Sequence, residues 1–115
     1  IENWTQGRVT LLGDAAHAML QYMAQGACQA LEDVAYLTLM LASHNDVENA
    51  LQKYQRERQP RTAEVQRSVR LWGDFLHAAD KLSLIMRDRI LKARTSHDYD
   101  DFDWLYAYRK WQQFE

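Results

Sequence analysis

The chain has 115 residues, 47% hydrophobic and 26% charged, a composition that predicts a packed protein of one domain or part of one. Lys and Arg total 14 against 16 Asp and Glu, so a formal charge of -2 gives no reason to expect nucleic acid as a partner. No apolar run approaches the roughly 20 residues of a membrane-spanning helix, which predicts no membrane partner, and the single cysteine, Cys28, fits a reducing cytoplasm.

The first predicted element is a short buried strand over residues 8–13. The segment is apolar, contains the β-branched residues Val9 and Thr10, and ends at Gly13. A strand of this length needs neighbours to satisfy its backbone, and no other segment is typical of a strand. We therefore expect its partner strands to lie outside this chain, and the fold class to be mostly α with one short strand.

Residues 14–26 predict a loop with at most a short helical turn, and a helix follows over about 27–43. Its apolar positions lie close to helical spacing and include Ala27, Ala30, Leu31, Val34, Leu37 and Leu41. A break follows, and Asn45 with Glu48 has capping-box spacing, which predicts a second helix over about 46–58.

Pro60 suits the first turn of a third helix, where its missing N–H is not needed. An apolar stripe predicts that this helix runs to about residue 79, and it could continue through Leu82, Ile85 and Ile90; the stripe comprises Val65, Val69, Trp72 and Leu76. Seven aromatic residues lie between positions 99 and 114, and we expect this tail to pack on a surface. The tail could mediate a homodimer.

The segment that carries most chemical information begins where the predicted strand ends. Asp14 lies just past the strand, where α/β proteins place ligand-binding groups, and could accept hydrogen bonds from sugar or ribityl hydroxyls. Gly26 lets the chain turn, and the N–H groups of Ala27 and Cys28 would lie at a helix N-terminus, which suits an anion or an electron-rich ring edge. A plainer alternative remains open, in which Asp14 only caps a helical turn and Gly26 is a loop glycine.

Other charged residues near this segment have structural interpretations. We expect His17 to shape the loop and hydrogen-bond locally rather than to act as an acid or base. Glu32 and Asp33 are expected to satisfy the helix dipole or to pair with an arginine. A cluster of three arginines further on predicts a salt-bridged surface rather than a phosphate site: Arg56, Arg58 and Arg61. The histidine spacing predicts no metal site.

The ten residues Arg8-Val9-Thr10-Leu11-Leu12-Gly13-Asp14-Ala15-Ala16-His17 closely resemble the second flavin-binding motif of the para-hydroxybenzoate hydroxylase family, the single-component FAD-dependent aromatic hydroxylases. Gln25-Gly26 and residues 30–33 fall at the family's spacing, and weaker matches at 54–61 and 104–106 extend the resemblance over most of the chain. The resemblance implies the C-terminal part of an α/β FAD/NAD(P)-binding, Rossmann-like fold. Residues 1–43 would complete the FAD-binding domain, and residues 44–115 would form helices and an aromatic tail packed on it.

The resemblance also implies roles for matching residues. Asp14 would bind a ribityl hydroxyl of FAD, and the backbone N–H groups of Gly26, Ala27 and Cys28 would face the pyrimidine edge of the flavin and stabilise negative charge there. The Cys28 thiol would then be a small packing group. Gln21 stands where many members of the family have Pro. In this, residues 21–26 resemble the 3-hydroxybenzoate 6-hydroxylase branch. It could hydrogen-bond a substrate carboxylate or phenol, or it could be a solvated loop residue.

For the parent protein, the resemblance implies an FAD-dependent monooxygenase of aromatic catabolism that uses NADH or NADPH and O2. The expected substrate is a small hydroxybenzoate, with 3-hydroxybenzoate to gentisate as first choice and salicylate to catechol as the alternative. The chain lacks the glycine fingerprint that holds the FAD pyrophosphate. We therefore expect a missing N-terminal part to complete the site and the isolated chain to be inactive. An alternative of another class is a non-catalytic helical interaction module with the aromatic tail as its partner surface.

Overall fold

The computed structural model describes residues 1–98 and 100–109 and begins with a β-hairpin. Two short antiparallel strands, β1 (Thr5–Gln6) and β2 (Val9–Thr10), pair Thr5 with Thr10 and Gln6 with Val9. The prediction of one buried strand over 8–13 was therefore wrong in three respects, since the strand is shorter, has a partner within the chain and leaves Val9 exposed. The partner was missed because two residues are too few to show an alternating pattern.

Five helices follow the hairpin in the described residues: α1 (Asp14–His17), α2 (Gly26–Ser43), α3 (Val47–Leu76), α4 (Lys81–Ala93) and α5 (Asp103–Tyr106). Single 3-10 turns occur at Gln21–Met23 and Asp100–Phe102. The chain divides into two units, Ile1–Arg70 and the part from Leu71 onward, with the division inside α3. The mostly α class is confirmed, with two short strands instead of one.

Helix α3 passes through Pro60 without a break, so the two separate helices predicted on either side of this residue are one. Proline inside a helix removes a hydrogen bond and costs about 3 kcal/mol. The residues before and after Pro60 belong to one buried stripe: Tyr54, Arg58, Thr62, Val65 and Val69. Burying this continuous stripe stabilises the helix by more than the proline costs, and Pro60 itself is exposed.

Aspartates cap the N-termini of α3 and α4, and at α3 the capping residue differs from the predicted Asn45. The Asp46 carboxylate accepts a hydrogen bond from the Glu48 N–H at 3.1 Å, so Asp46 caps α3 in place of Asn45. Helix α3 ends at Leu76, and Asp80 caps α4 by accepting from the Ser83 N–H at 2.9 Å. The predicted continuation through Ile90 is thus a separate helix.

The buried face of α2 differs from the predicted one. Four residues at helical spacing are buried, and two of them are polar: Gln29, Asp33, Tyr36 and Met40. Leu31, Val34 and Leu41 of the predicted apolar face are instead exposed, Leu31 by 70%. Polar residues occupy the inner face because they meet an arginine of α3, as described below.

The core of the first unit lies between the hairpin, α2 and α3. Trp4 is its centre, with ring centroids 5.9 Å from Tyr54 and 5.4 Å from His17. The Gln55 side-chain oxygen accepts the N–H groups of Trp4 and Thr5, and the Tyr54 hydroxyl donates to the Leu11 carbonyl at 3.2 Å. The Gln55 bonds hold the start of the hairpin against α3, and the Tyr54 bond holds the segment that leads to α1.

The second unit contains a cluster of aromatic rings. The Trp72 ring stacks on Phe75 and meets Phe102 edge-on at a centroid distance of 5.7 Å. Phe102 of the predicted aromatic tail is thus packed, whereas Tyr106 is 65% exposed. Tyr99, Trp111 and Phe114 of that tail lie outside the described residues. No helix in the described ranges is both long and apolar enough to cross a membrane.

Candidate functional site

A cleft of about 620 Å³ opens between the end of the hairpin segment and the start of α2. Its lining includes four of the five site residues singled out from the sequence, Asp14, Gln21, Gly26 and Ala27. Apolar and small residues complete the wall: Leu12, Gly13, Met19, Leu20, Ala24 and Ala30. The fifth, Cys28, does not line the cleft with its side chain, which is exposed. The structure thus brings together a carboxylate, an amide and a helix N-terminus.

The N-terminus of α2 presents free backbone donors near the Asp14 carboxylate. The first intrahelical bond at this end runs from the Gln29 N–H to the Gln25 carbonyl, and Gln25 provides no side-chain cap. Among the described residues, the N–H groups of Gly26, Ala27 and Cys28 have no hydrogen-bond acceptor. Such groups carry partial positive charge and bind anions or electron-rich atoms.

Gly26 places no side chain between this end of α2 and Asp14. A Cβ built at this position would lie 3.9 Å from Asp14 Oδ1 and 4.0 Å from Met19 Cγ. Asp14 and the first turn of α2 are therefore direct neighbours across the cleft. A ligand that contacts the backbone of Gly26 would also be within reach of the Asp14 carboxylate.

Asp14 is placed by an unusual turn at Gly13. Gly13 has φ 58° and ψ -137°, a conformation that only glycine adopts readily, and its own Cβ position would lie 3.3 Å from Ala30 Cβ. The Gly13 carbonyl accepts the N–H groups of Ala16 and His17, both at 2.9 Å, which forms α1. The exposed Asp14, the first residue of α1, lies at the cleft.

A buried carboxylate, Asp33 of α2, holds this turn from behind. Its Oδ2 accepts the Gly13 N–H at 3.0 Å and lies 2.5 Å from His17 Nε2, which must donate because a carboxylate only accepts. Its Oδ1 accepts from Arg58 Nε at 2.7 Å. Asp33 and Arg58 are both fully buried. His17 Nδ1 is buried without a partner among the described residues.

Arg58 extends the network across α2. Its Nη1 donates to Glu32 Oε2 at 2.6 Å, and its Nη2 donates to the Gln29 side-chain oxygen at 2.9 Å and to the Gln29 carbonyl at 3.2 Å. Arg61 adds a longer ion pair to Glu32, with Nη2 3.3 Å from Oε1. The arginine cluster was predicted as a salt-bridged surface. The salt bridges are confirmed for Arg58 and Arg61, but the surface position is wrong for both, since they are buried.

The electrostatics of this network favour its charged form. Burial alone raises the pKa of Asp33, but hydrogen bonds from His17, Arg58 and Gly13 and the charge of Arg58 hold it below its ordinary value of 3.8. Burial likewise opposes charge on Arg58, yet the carboxylates of Asp33 and Glu32 raise its pKa. The pKa of the Tyr54 phenol is raised, first by burial and then by the Asp33 charge.

The sequence predicted a local structural role for His17, and for Glu32 and Asp33 either compensation of the helix dipole or pairing with an arginine. The structure has the local His17 contact and, of the two alternatives, the arginine pairing. The sequence-based reasoning did not predict that Arg58 is buried in the network behind the cleft. A signal was available, because stepping back from Val69 and Val65 at helical spacing places Thr62, Arg58 and Tyr54 on one face.

The cleft has the chemistry that the flavin and ribityl parts of FAD require. It offers a carboxylate for hydroxyl groups, unpaired N–H groups for an electron-rich ring edge, and alanines and glycines that allow close approach. Among residues 1–98 and 100–109, no group of three His, Cys, Asp or Glu could hold a metal ion.

Known proteins resemble the chain over nearly its whole length. The relatives include 3-hydroxybenzoate 6-hydroxylase 1 of Aquipseudomonas alcaligenes, 45% identical over 93% of this chain and 27% of the relative. The 3-hydroxybenzoate 6-hydroxylase of Polaromonas naphthalenivorans (strain CJ2) is 46% identical over 94% of the chain and 27% of its own length. A 3-amino-4-hydroxybenzoate 2-monooxygenase of Streptomyces cremeus is 42% identical over 92% and 27%. The chain spans about a quarter of the length of these relatives.

The family model described as FAD binding domain matches residues 1–69, which contain the cleft and the network behind it. The match and the relatives confirm the resemblance to FAD-dependent aromatic hydroxylases that the motif at residues 8–17 predicted. FAD is accordingly the cofactor that fits both the motif and the cleft. The chain belongs to the FAD binding domain family.

Proposed function

We propose that the chain is the C-terminal part of an FAD-dependent monooxygenase that converts 3-hydroxybenzoate to gentisate with NADH or NADPH and O2. The observation that carries the proposal is the shared cleft of Asp14, Gln21 and the α2 N-terminus. The names of the relatives support the substrate class, and several of them are 3-hydroxybenzoate 6-hydroxylases. In balanced form, the substrate, NAD(P)H, H+ and O2 give gentisate, NAD(P)+ and water.

The cofactor-binding residues in this proposal are Asp14, Gly26, Ala27 and Cys28. The Asp14 carboxylate accepts a hydrogen bond from a ribityl hydroxyl, and the three backbone N–H groups face the pyrimidine edge of the flavin. Bound FAD supplies the transfer of electrons from NAD(P)H to O2. The protein's contribution at this edge is fixed partial positive charge, which stabilises negative charge on the ring without any rearrangement. Cys28 contributes its N–H, so its exposed thiol has no chemical task.

Gln21 is the substrate-orienting residue in this proposal. It begins the 3-10 turn Gln21–Met23 and lines the same cleft as Asp14, so a ring held by it lies beside the flavin. Its amide both donates and accepts, which suits a carboxylate or a phenol. Met19 and Leu20 give that side of the cleft an apolar wall, which helps to exclude water.

The proposal includes a missing N-terminal part of the parent protein as the partner of this chain. The chain spans about a quarter of its relatives, and the exposed apolar residues of α2, Leu31, Val34 and Leu41, form a stripe that such a part would cover. In the proposed fold, residues 1–43 complete a Rossmann-like FAD-binding domain. The helical interaction module remains the alternative of another class, but it gives no reason for Asp14 and free N–H groups to share a cleft.

The test replaces Asp14 by Ala in the full-length protein. Loss of a charge-assisted hydrogen bond lowers FAD affinity about 10-fold or more and lowers turnover with it. The matched control is Asp46→Ala, which removes an aspartate that caps α3 outside the cleft and leaves FAD affinity within about 2-fold. Unchanged FAD occupancy and turnover in Asp14→Ala would show that the flavin assignment is wrong.

The substrate is tested separately by product analysis of the full-length enzyme. 3-Hydroxybenzoate yields gentisate, and Gln21→Ala raises KM for this substrate by about 10-fold while FAD affinity stays unchanged. Catechol formed from salicylate at a higher kcat/KM would replace the first substrate by the alternative and leave the monooxygenase assignment in place.

A further inference from the structure

We propose that His17 and Asp33 are positioning residues for Asp14: together they hold the turn at Gly13 in the conformation that presents the Asp14 carboxylate to the cleft. The inference rests on the proposed function, because it takes Asp14 to be the residue that binds FAD. It adds two residues that touch no cofactor and act through the backbone.

The turn at Gly13 needs outside support. Its φ of 58° and ψ of -137° are one of several conformations open to glycine, so the residue by itself does not select them. Helix α1 has four residues, too few to be stable alone in water. Something beyond residues 13–17 must therefore choose the observed conformation.

A single oxygen atom supplies that support at both ends of the turn. Asp33 Oδ2 accepts the Gly13 N–H at 3.0 Å, before Asp14, and the His17 Nε2–H at 2.5 Å, after it. Asp14 therefore lies in the chain between two residues that bond to the same oxygen atom. All three anchoring groups are buried, so water does not compete for these bonds.

Asp33 can act as a reference point because it is itself fixed. Arg58 binds its other oxygen at 2.7 Å and is held in turn by Glu32 and Gln29. The chain of contacts runs from α3 through α2 to the turn. A change at His17 therefore alters the direction of Asp14 without altering the other wall of the cleft, the N-terminus of α2.

The test uses a matched pair of variants in the full-length protein, His17→Asn and His17→Gln. The Gln amide nitrogen reaches about as far as His Nε2 and keeps the bond to Asp33, whereas the Asn amide ends one bond short. His17→Asn is expected to lower FAD affinity about 10-fold, and His17→Gln restores it to within about 3-fold of the parent. Equal FAD affinities of the two variants would overturn the proposal.

A double-mutant cycle separates positioning from general destabilisation. Because His17 acts through Asp14, His17→Asn lowers FAD affinity by less than 2-fold when Asp14 is already Ala. Additive effects in the two backgrounds would overturn the proposal. Arg58→Lys keeps the positive charge but loses the Nε–H that donates to Asp33. It is the second variant for the same cycle and is expected to show the same non-additivity.

The control for stability is Gln55→Ala, which removes hydrogen bonds to the hairpin in the same unit. It lowers the melting temperature of the apoprotein but leaves FAD affinity within about 2-fold. If Gln55→Ala lowers FAD affinity as much as His17→Asn, then the His17 effect is only loss of stability and the inference fails. Asp14→Ala separates failure of this inference from failure of the proposed function. If Asp14→Ala leaves FAD affinity unchanged, the proposed function fails as well; if it lowers FAD affinity, only the inference about His17 fails.

Discussion

The buried arginine of the network provides the sharpest test of how this fold is held together. Arg58→Met keeps most of the volume of the side chain but removes the positive charge that pairs with Asp33 at 2.7 Å. Glu32 keeps a second partner in Arg61, whereas Asp33 loses the arginine and keeps the Gly13 N–H and His17. Breaking a buried pair on one side costs about 3–5 kcal/mol, because a buried charge is left without compensation.

The assay is urea unfolding of the full-length protein at a fixed FAD concentration, followed by tryptophan fluorescence. The matched control is Arg56→Met, two residues earlier on α3, where the side chain is exposed and donates to the Gln52 carbonyl. The control should change the free energy of unfolding by less than about 0.5 kcal/mol. Similar small losses in both variants would contradict the idea that Arg58 compensates a buried charge.

The stability lost in Arg58→Met should depend on pH in one direction. The folded-state pKa of Asp33 lies below its ordinary value of 3.8, so its contribution to stability is present above pH 3.8 and is lost as pH falls through the folded pKa. In Arg58→Met, burial still raises the pKa of Asp33, but the hydrogen bond and the charge of Arg58 no longer oppose this rise. The destabilisation of the variant relative to the parent should therefore be largest near pH 7 and should narrow toward pH 4. If the difference in free energy of unfolding between parent and variant increases on acidification, the reasoning is refuted.

Two further predictions concern the backbone. Gly13→Ala should lower the melting temperature and weaken FAD binding. The new Cβ would lie 3.3 Å from Ala30 Cβ, and the backbone conformation costs about 1–3 kcal/mol for a non-glycine residue. An unchanged melting temperature would contradict the turn geometry. Pro60→Ala should stabilise the protein by roughly 1–3 kcal/mol in urea unfolding, because it restores a backbone N–H donor inside α3 at an exposed site. A loss of stability would mean that the proline has a packing role.

The sequence by itself determined the local features of the site. The motif at residues 8–17 predicted the flavin family, and the glycine at position 26 predicted the start of α2 within one residue. These features depend on neighbours a few residues apart, such as Gly13 followed by Asp14, or on the helical spacing of single segments. Local sequence carries that information because backbone preferences and hydrogen bonds within a turn are decided over short distances.

Only the tertiary structure decided which faces are buried and where helices continue. The apolar spacing of α2 pointed to Leu31 and Val34, but the buried face contains Asp33, because a carboxylate can be buried when Arg58 meets it. Pro60 predicted a break, but the helix continues because residues on both sides pack against the same core. Asp33 and Arg58 are 25 residues apart in the chain, and no local pattern encodes a partner at that distance.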